Sequence, residues 1–473
     1  MVRGLLETKT YTIDDMVQVG LKGVLTQAEI NPQPPRTTSP APSKYSFLSV
    51  IGYGLEQRQF SIQDDDGYLI SDGRQNLIYF PLKSLIFQVS ANAMQIIQNN
   101  KTHVLQTKLI EQIEGELIKV KRFNFPSQKQ TQGSNVLGIA LTTACNLSCP
   151  YCHADACKTK VFTRNEIIDS AISLVLDNCQ KSKRDFFLVF TGSGEPTVNW
   201  NGLQRTLQNA KSQCKNVGVK LHSIMSTNGF YGMTKREYIS KNFSRVSLSL
   251  DGPQELHDEN RRTHAGKGSF TTVFETAKFF WREKFPFGIR VTVSQKGVNS
   301  MLKTFEFFQE NFPGVTVAFE PIIPMGRGVD HLDLIPRTTD FVNGFCAIIN
   351  KHGKANVAYS GISFKKLRNR FCGPVAVPHI NVEIDGVIRG CSRVGSSDKF
   401  IYGKYNEESG SFDIDANKSK YMSEICVDSF SECNDCFARY NCAGDCHEFR
   451  ETGRNRCDAN RVILWQYLCK EVS

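Results

Sequence analysis

Six apolar segments of strand length alternate with amphipathic helical segments between residues 137 and 320. That pattern predicts an α/β fold, built as a partial (β/α)6 TIM-like barrel. Two further observations complete the expected architecture. A short run of strands and helices precedes the barrel and predicts a small N-terminal α+β domain. The 16 cysteines are unevenly placed, with none in the first 144 residues and seven in residues 426–469. This clustering predicts a C-terminal Cys-rich domain held together by bound metal.

The elements follow in chain order. Residues 1–45 include Asn31-Pro-Gln-Pro-Pro-Arg-Thr-Thr-Ser-Pro-Ala-Pro-Ser, whose prolines favour extended chain, so this stretch is expected to be a flexible tail. Residues 46–125 form the small domain. Gln59-Phe-Ser-Ile-Gln, Tyr68-Leu-Ile and Asn76-Leu-Ile-Tyr-Phe read as strands, and Leu82 to Gln98 and Val104 to Ile113 as helices. The barrel is expected over residues 136–330, with strands at 137–142, 186–190, 219–225, 244–250, 287–293 and 315–320. Its first helix opens on Thr163-Arg-Asn-Glu166, a capping-box pattern ahead of Ile167, Ile168, Ala171, Ile172 and Val175. A bridging region, 331–371, leads to the Cys-rich domain, 372–473, with one clear strand at His379-Ile-Asn-Val-Glu-Ile.

Length and composition narrow the class. The 473 residues suit two to four domains, and 40% hydrophobic with 22% charged residues is the balance of a globular protein. No run of about 18 apolar residues is present to span a membrane. The first residues carry an acid and no sustained apolar core, so no secretion signal is read and a cytoplasmic location is expected. In that compartment thiols stay reduced, which favours metal ligation over disulfides. The net charge of +10 comes without long Lys/Arg runs or aromatic–basic arrays, so no nucleic-acid partner is expected.

The reactive groups of such a barrel belong beyond the C-terminal ends of its strands. Cys145-Asn-Leu-Ser-Cys149-Pro-Tyr-Cys152 follows the first strand. Three thiolates on a tight loop can hold three irons of a [4Fe–4S] cube and leave the fourth open. A zinc site completed by Cys157 or His153 is the alternative. Gly192-Ser-Gly-Glu-Pro196 follows the second strand, Ser226-Thr-Asn-Gly229 ends the third, and Ser247-Leu-Ser-Leu-Asp251 through His257 to Arg261 runs along and past the fourth. Outside the context of the cysteine loop, these are ordinary turn sequences.

In this order the motifs resemble the radical S-adenosylmethionine (SAM) superfamily, and the fourth resembles its peptide- and protein-modifying branch. The resemblance implies that the open iron binds the amino and carboxylate groups of S-adenosylmethionine. One-electron cleavage would then give a 5′-deoxyadenosyl radical that abstracts a substrate hydrogen. It places Tyr151 near the adenine, and Gly192, Gly194 and Glu195 at the cofactor ammonium. Thr227 and Asn228 would stand at the barrel mouth, with Ser269 and Arg290 at the cofactor carboxylate. His257 reads as a hydrogen-bonded loop histidine.

Cys372, Cys391, Cys433-x2-Cys436-x5-Cys442-x3-Cys446 and Cys457 resemble the SPASM extension, which houses two auxiliary [4Fe–4S] clusters. A pair of zinc ribbons is the alternative. By resemblance, Cys372, Cys391 and Cys446 bind the first cluster, and Cys433, Cys436, Cys442 and Cys457 the second. Where relatives carry another cysteine before Cys372, this chain has Lys365, Lys366 and Leu367. Cys346 or Cys426 would supply the missing ligand, or that iron stays open. Sulfatase-maturing relatives carry an aspartate base after the equivalent of Cys391; here the residue is Ser392, which cannot act as a carboxylate does near neutral pH. No catalytic base is assigned.

Residues 46–125 are similar in pattern to the winged domain called a RiPP recognition element (RRE), which binds a leader peptide as an added strand. The resemblances together imply a maturase of ribosomally made peptides that forms a thioether or carbon–carbon crosslink. It would use S-adenosylmethionine and three [4Fe–4S] clusters. Its partners would be a precursor peptide with its leader and an external flavodoxin- or ferredoxin-like reductant. A radical enzyme oxidising a protein residue or a small molecule, and a non-catalytic metal-binding interaction protein, are the competing expectations.

Overall fold

A computed structural model describes residues 9–12, 54–62, 65–99, 103–125, 133–191, 193–372, 378–391 and 398–472. The chain forms two compact units, neither continuous in sequence. One draws on Met1–Ser127, Gly361–Phe371 and Cys426–Ser473, the other on Gln128–Ser360 and Cys372–Ile425. The Cys-rich stretch expected as one domain over 372–473 is therefore divided between them.

The first unit is built on a five-stranded sheet. Strands β2 (Glu56–Ile62), β3 (Asp65–Ser71), β4 (Asn76–Phe80) and β5 (Leu85–Gln88) form an antiparallel meander. Strand β1 (Lys9–Thr12) adds parallel to β5, pairing Lys9 with Leu85 and Thr12 with Gln88. This strand lies within the stretch expected to be a flexible tail; the rest of that tail is outside the described residues. Helices α1 (Ala91–Asn99) and α2 (His103–Lys119) follow. Leu69, Ile78, Phe80 and Phe87 of the sheet pack with Ala93, Met94, Ile113 and Leu117 of the helices.

The helix expected over Leu82–Gln98 is broken. Ser84 takes a left-handed φ of 51° after a short 3-10 turn, and Leu85–Gln88 then pairs with β4 as a strand. The three apolar residues Leu85, Ile86 and Phe87, buried on both faces, have no period that separates strand from helix. Ser90 Oγ accepts the Ala93 N–H at 3.1 Å and starts α1.

The C-terminal stretch packs into the same unit. Leu82 shares an apolar cluster with Leu367, Val427, Cys433 and Tyr440. Tyr79 Oη donates to Asn441 Oδ1 at 3.0 Å, and Trp465 Nε1 donates to Asp72 Oδ2 at 3.3 Å.

The second unit carries the barrel sheet. Strands β6 (Val136–Ile139), β7 (Phe186–Phe190), β8 (Leu221–Thr227), β9 (Arg245–Ser249), β10 (Phe287–Val293) and β11 (Val317–Pro321) pair in sequence order, all parallel. The six expected strands fall within two to three residues of these bounds. A short β12 (Val357–Ala358) extends the β11 edge.

On the other edge β13 (Ile380–Val382) adds parallel to β6. The antiparallel strands β14 (Val387–Arg389), β15 (Ile401–Asn406) and β16 (Ser411–Ile414) follow it. Within the Cys-rich stretch expected over 372–473, these four strands are tied to the barrel sheet by strand pairing. One reason is Gly138: a Cβ there would lie 2.2 Å from Asn381 Oδ1. Glycine lets Asn381 sit against β6, where its Nδ2 donates to the Arg389 and Gly390 carbonyls.

The first barrel helix, α3, runs over Asn165–Ser182 and buries Ile167, Ile168, Ala171, Ile172 and Val175. The expected capping box does not form. Thr163 N–H and Oγ1 donate to the Leu141 and Ala140 carbonyls, so the residue ties off β6 rather than capping the helix.

Candidate active site at the strand ends

The two faces of the parallel sheet differ. Leu188, Met225, Leu248, Val291 and Phe319 are buried on one face. Val189, Ser226, Ser249 and Arg290 lie on the other and are half-buried or exposed. Arg290 stands opposite Ser249 and Ala318 in the register. The sequence suggested a buried-looking strand position for Arg290, but alternation puts its side chain on the open face, where an anion could reach it.

The loop after β6 holds the first three cysteines. Cys149 is buried with Leu147, Tyr151 and Ile322, and Cys145, Cys152 and Phe230 pack against the same cluster. Neighbouring loops fix its backbone. Ser148 N–H donates to the Arg262 carbonyl at 2.8 Å. Arg327 Nε donates to the Cys149 carbonyl and Nη1 to the Ala156 carbonyl, each at 3.0 Å, and the Arg327 N–H reaches the Cys152 carbonyl. Cys157 is committed to the loop itself: its Sγ accepts from the Cys145 N–H at 2.9 Å and donates to the Cys145 carbonyl at 3.0 Å.

Three clustered thiols in an apolar shell fit a cationic iron–sulfur core. Burial pushes the Cys145 thiol up to about 12, with the Glu195 carboxylate adding to it, and pushes Cys149 up to about 11 against the pull of Arg261. A core supplying positive charge would reverse that preference and stabilise the thiolates. Among the described residues no three Cys, His, Asp or Glu side chains are grouped to hold a single metal ion.

The loops after β7 and β8 are knitted together. Glu195, 3% exposed, accepts from Thr197 N–H at 3.2 Å, Thr197 Oγ1 at 2.8 Å and Thr227 Oγ1 at 2.8 Å through Oε1. Its Oε2 accepts the Asn228 N–H at 2.7 Å. Burial raises its pKa, and these donors oppose the rise. Glu195, expected at a cofactor ammonium, is held in place by these four internal donors. Asn228 Nδ2 donates to Asn146 Oδ1 at 2.7 Å and lies 3.7 Å from Cys145 Sγ, so the third loop reaches the first.

Gly194 serves packing. A Cβ there would stand 2.3 Å from the Ala144 carbonyl and 2.7 Å from that of Thr142, so glycine lets this loop lie against the start of the cysteine loop. Gly192 lies outside the described residues.

A second network, which sequence reasoning missed, centres on Asp251 just beyond β9. Its Oδ2 accepts from Tyr151 Oη and from Arg261 Nε at 3.0 Å, and its Oδ1 accepts the Thr292 N–H at 2.9 Å. Arg261 also lies over the Tyr151 ring, 5.5 Å from its centre. Tyr151 is therefore locked before any ligand arrives. Asp251 N–H donates to His257 Nδ1 at 3.2 Å, and His257 Nε2 lies 2.9 Å from Ser269 Oγ. Ser269 Oγ in turn donates to the Arg261 carbonyl at 2.6 Å. Ser269, expected at the cofactor carboxylate, is 1% exposed and its hydroxyl is bonded within the fold. His257 is the hydrogen-bonded histidine expected, held neutral with its pKa lowered to about 4 by burial. The Ser-Leu-Asp-Gly run at a strand end was the available signal for Asp251.

Cys372 and Cys391 are half-buried in the second unit, Cys391 two residues past β14. Ser392 lies outside the described residues. Cys433, Cys436, Cys442, Cys446 and Cys457 belong to the first unit. Four of them meet donors: Arg450 Nη2 lies 3.2 Å from Cys433 Sγ and 3.8 Å from Cys457 Sγ, Arg461 Nε 3.5 Å from Cys436 Sγ, and Asn460 Nδ2 3.1 Å from Cys442 Sγ. Burial raises the Cys433 thiol to about 12 and raises those of Cys442 and Cys457; Cys433 and Cys442 each sense the charge of two others in the group, and Cys457 that of Cys436. A second thiol set suited to an iron–sulfur core stands here. Sequence reasoning found the cysteines but not their donors.

Comparison with known proteins agrees with this geometry. Residues 139–307 match the model of the radical SAM superfamily. A cysteine-type anaerobic sulfatase-maturating enzyme of Clostridium perfringens is 27% identical over 176 residues, 36% of this chain and 46% of that protein. The radical SAM cyclopropyl synthase TigE of Paramaledivibacter caminithermalis is 22% identical over 329 residues, 65% of this chain and 66% of that one. The chain thus spans about half the length of the sulfatase-maturating relatives it matches. Among solved structures, the sulfatase-maturating enzyme anSMEcpe, with bound AdoMet and the Cp18Cys peptide, superposes with a TM-score of 0.56. That match has 20% identity and covers 71% of this chain and 98% of the other, and it shows a shared fold.

Proposed function

We propose that this chain, a radical SAM enzyme by its domain over residues 139–307, modifies a ribosomally made peptide by hydrogen abstraction. The product is a thioether or carbon–carbon crosslink. One observation carries the radical reading: the Cys145–Cys152 loop is joined through Asn228 and Glu195 to the loops after β7 and β8, at the end of the sheet where a partial barrel collects its reactive groups.

When bound, S-adenosylmethionine and a [4Fe–4S] cluster supply one-electron, hydrogen-abstracting chemistry. Cys145, Cys149 and Cys152 hold the cluster, and Arg327 keeps their loop in shape. Tyr151, fixed by Asp251 and Arg261, offers a preset ring edge, and Arg290 offers a guanidinium on the open face. Asn228 places an amide beside Cys145. Apolar packing around Cys149 keeps water from the loop.

The peptide substrate is supported by two features. Curated relatives named as sulfatase-maturating enzymes act on proteins, so the branch handles polypeptides. In the five-stranded sheet of the first unit β1 pairs parallel with β5, an added-strand arrangement of the kind by which a sheet edge would take up an extended peptide. A cytoplasmic location and an external flavodoxin- or ferredoxin-like reductant complete the proposal. Sulfatase-type oxidation is the second reading, favoured by the family relatives and weakened by Ser392, which stands after Cys391 in the sequence.

Two measurements test it. Anaerobically reconstituted protein with dithionite and S-adenosylmethionine should release 5′-deoxyadenosine; no release refutes the radical reading. Co-expression with a short peptide encoded beside the gene, followed by mass spectrometry, should show a loss of two hydrogens. An unchanged peptide mass with active 5′-deoxyadenosine release would instead favour the second reading.

A further inference from the structure

Two buried guanidinium groups stand against three of four neighbouring thiols in the first unit. Arg450 Nη2 addresses Cys433 at 3.2 Å and Cys457 at 3.8 Å, and Arg461 Nε addresses Cys436 at 3.5 Å. Their side chains are 8% and 9% exposed. Asn460 Nδ2, 3.1 Å from Cys442, completes a ring in which every one of the four sulfurs receives a donor.

Both arginines are held in place by other bonds. Arg450 Nε donates to the Gly444 carbonyl, Nη1 pairs with Glu432, and the guanidinium lies 4.3 Å from the centre of the Phe430 ring. Arg461 Nη1 pairs with Asp458 at 3.2 Å. Glu432 and Asp458 are the more exposed partners, at 58% and 50%. Each carboxylate is therefore partly screened by water, whereas each guanidinium faces the sulfurs in a dry setting. The cations dominate at Cys433 and Cys457, while at Cys442 the buried Asp445 carboxylate, paired with Arg456, opposes them.

Burying two arginines costs energy unless an anion accompanies them. Glu432 and Asp458 supply one on the exposed side of each guanidinium, and neutral thiols supply none on the buried side. A [4Fe–4S] core held by four thiolates is a net anion, and reduction by one electron makes it more negative without breaking or forming a bond. Hydrogen bonds and cations at the sulfurs favour the more negative state.

We propose that Arg450 and Arg461 are positioning residues that raise the reduction potential of a cluster bound by Cys433, Cys436, Cys442 and Cys457. This rests on the reading of those four cysteines as ligands of one cluster. At Cys149 the sulfur feels Arg261 and Arg327 only through space, and the donors that reach the Cys145 sulfur are the Leu147 N–H and the Asn228 amide, whereas at Cys433, Cys436 and Cys457 guanidinium N–H groups reach the sulfurs directly. Direct guanidinium donors at its sulfurs make the Cys433–Cys457 cluster suited to receive an electron.

The test is a potentiometric titration of the full reconstituted chain, followed by electron paramagnetic resonance. Arg450→Gln and Arg461→Gln should each lower one cluster midpoint, making that cluster about tenfold less reduced at a fixed poise, about 59 mV for a one-electron couple. Arg450→Lys should fall between Arg450→Gln and wild type. Glu432→Gln and Asp458→Asn, at exposed positions, should shift the same midpoint upwards, a change of sign that a structural role would not give. Unmoved midpoints in iron-replete Gln variants would overturn the proposal. Where a Gln variant loses iron, unmoved midpoints in Glu432→Gln and Asp458→Asn would do the same. Wild-type protein holding only about four irons per chain would instead refute the auxiliary-cluster reading itself.

Discussion

Glu195 Oε2 lies 2.7 Å from the backbone nitrogen of Asn228, and that single bond joins the loop after the second barrel strand to the loop after the third. Three more donors converge on Oε1. Glu195→Gln keeps the shape but replaces one acceptor with a donor, so one buried N–H or hydroxyl loses its partner. We expect about 1–3 kcal/mol of destabilisation, read by urea unfolding. Weaker retention of S-adenosylmethionine should accompany it, read by equilibrium dialysis.

Gly194→Ala tests the close approach of two loops. Its Cβ would stand 2.3 Å from the Ala144 carbonyl, a backbone atom with no rotamer to yield. A loss of about 2–4 kcal/mol is expected. Iron bound at the cysteine loop should fall with it, measured against total protein.

Arg327 grips the cysteine loop from the turn after the sixth strand. Arg327→Met retains much of the apolar stem and removes both donors to the Cys149 and Ala156 carbonyls. The three cysteines should then lose their cluster faster to a chelator. The second-unit fold should survive, as judged by far-ultraviolet circular dichroism.

His257 gives a pH dependence with a definite sign. Its Nδ1 accepts the Asp251 N–H, so a proton there would face another donor, and burial holds the folded pKa to about 4 against an ordinary value of 6.5. The unfolded chain therefore binds more protons between these values, and stability falls as pH drops from about 6.5 to 4. The ceiling is about 3 kcal/mol. His257→Gln should flatten that part of the melting-temperature profile while lowering stability at pH 7.

Gln57 couples the N-terminal sheet to the CxxC turn. Its Nε2 donates to the Asp435 carbonyl, and its Oε1 accepts the Phe437 N–H at 3.3 Å. Gln57→Leu leaves both backbone groups without this partner, and a cost of about 1–3 kcal/mol follows. Removing iron should raise hydrogen exchange in β2 and β3, because the same turn carries Cys433 and Cys436. Unchanged protection there on chelation would refute the coupling.

The sequence alone determined the parallel sheet and the cysteine loop, because both are local. Alternation of apolar strands with amphipathic helices repeats over short spans, and Cys145, Cys149 and Cys152 lie within eight residues of one another. It misread Leu85–Gln88, where a short run buried on both faces has no distinguishing period. Tertiary structure decided the rest. Which bonds Glu195, Ser269 and Tyr151 make depends on partners 12 to 100 residues away, such as Thr227, His257 and Asp251. The same holds for the chain's last third, which divides between two units: pairing of β13 with β6 is a long-range choice, and so is the packing of Cys433 and Tyr440 beside Leu82. Long-range hydrogen bonds and burial leave little trace in local spacing, so only the folded chain could show that Arg450 and Arg461 stand against the sulfurs.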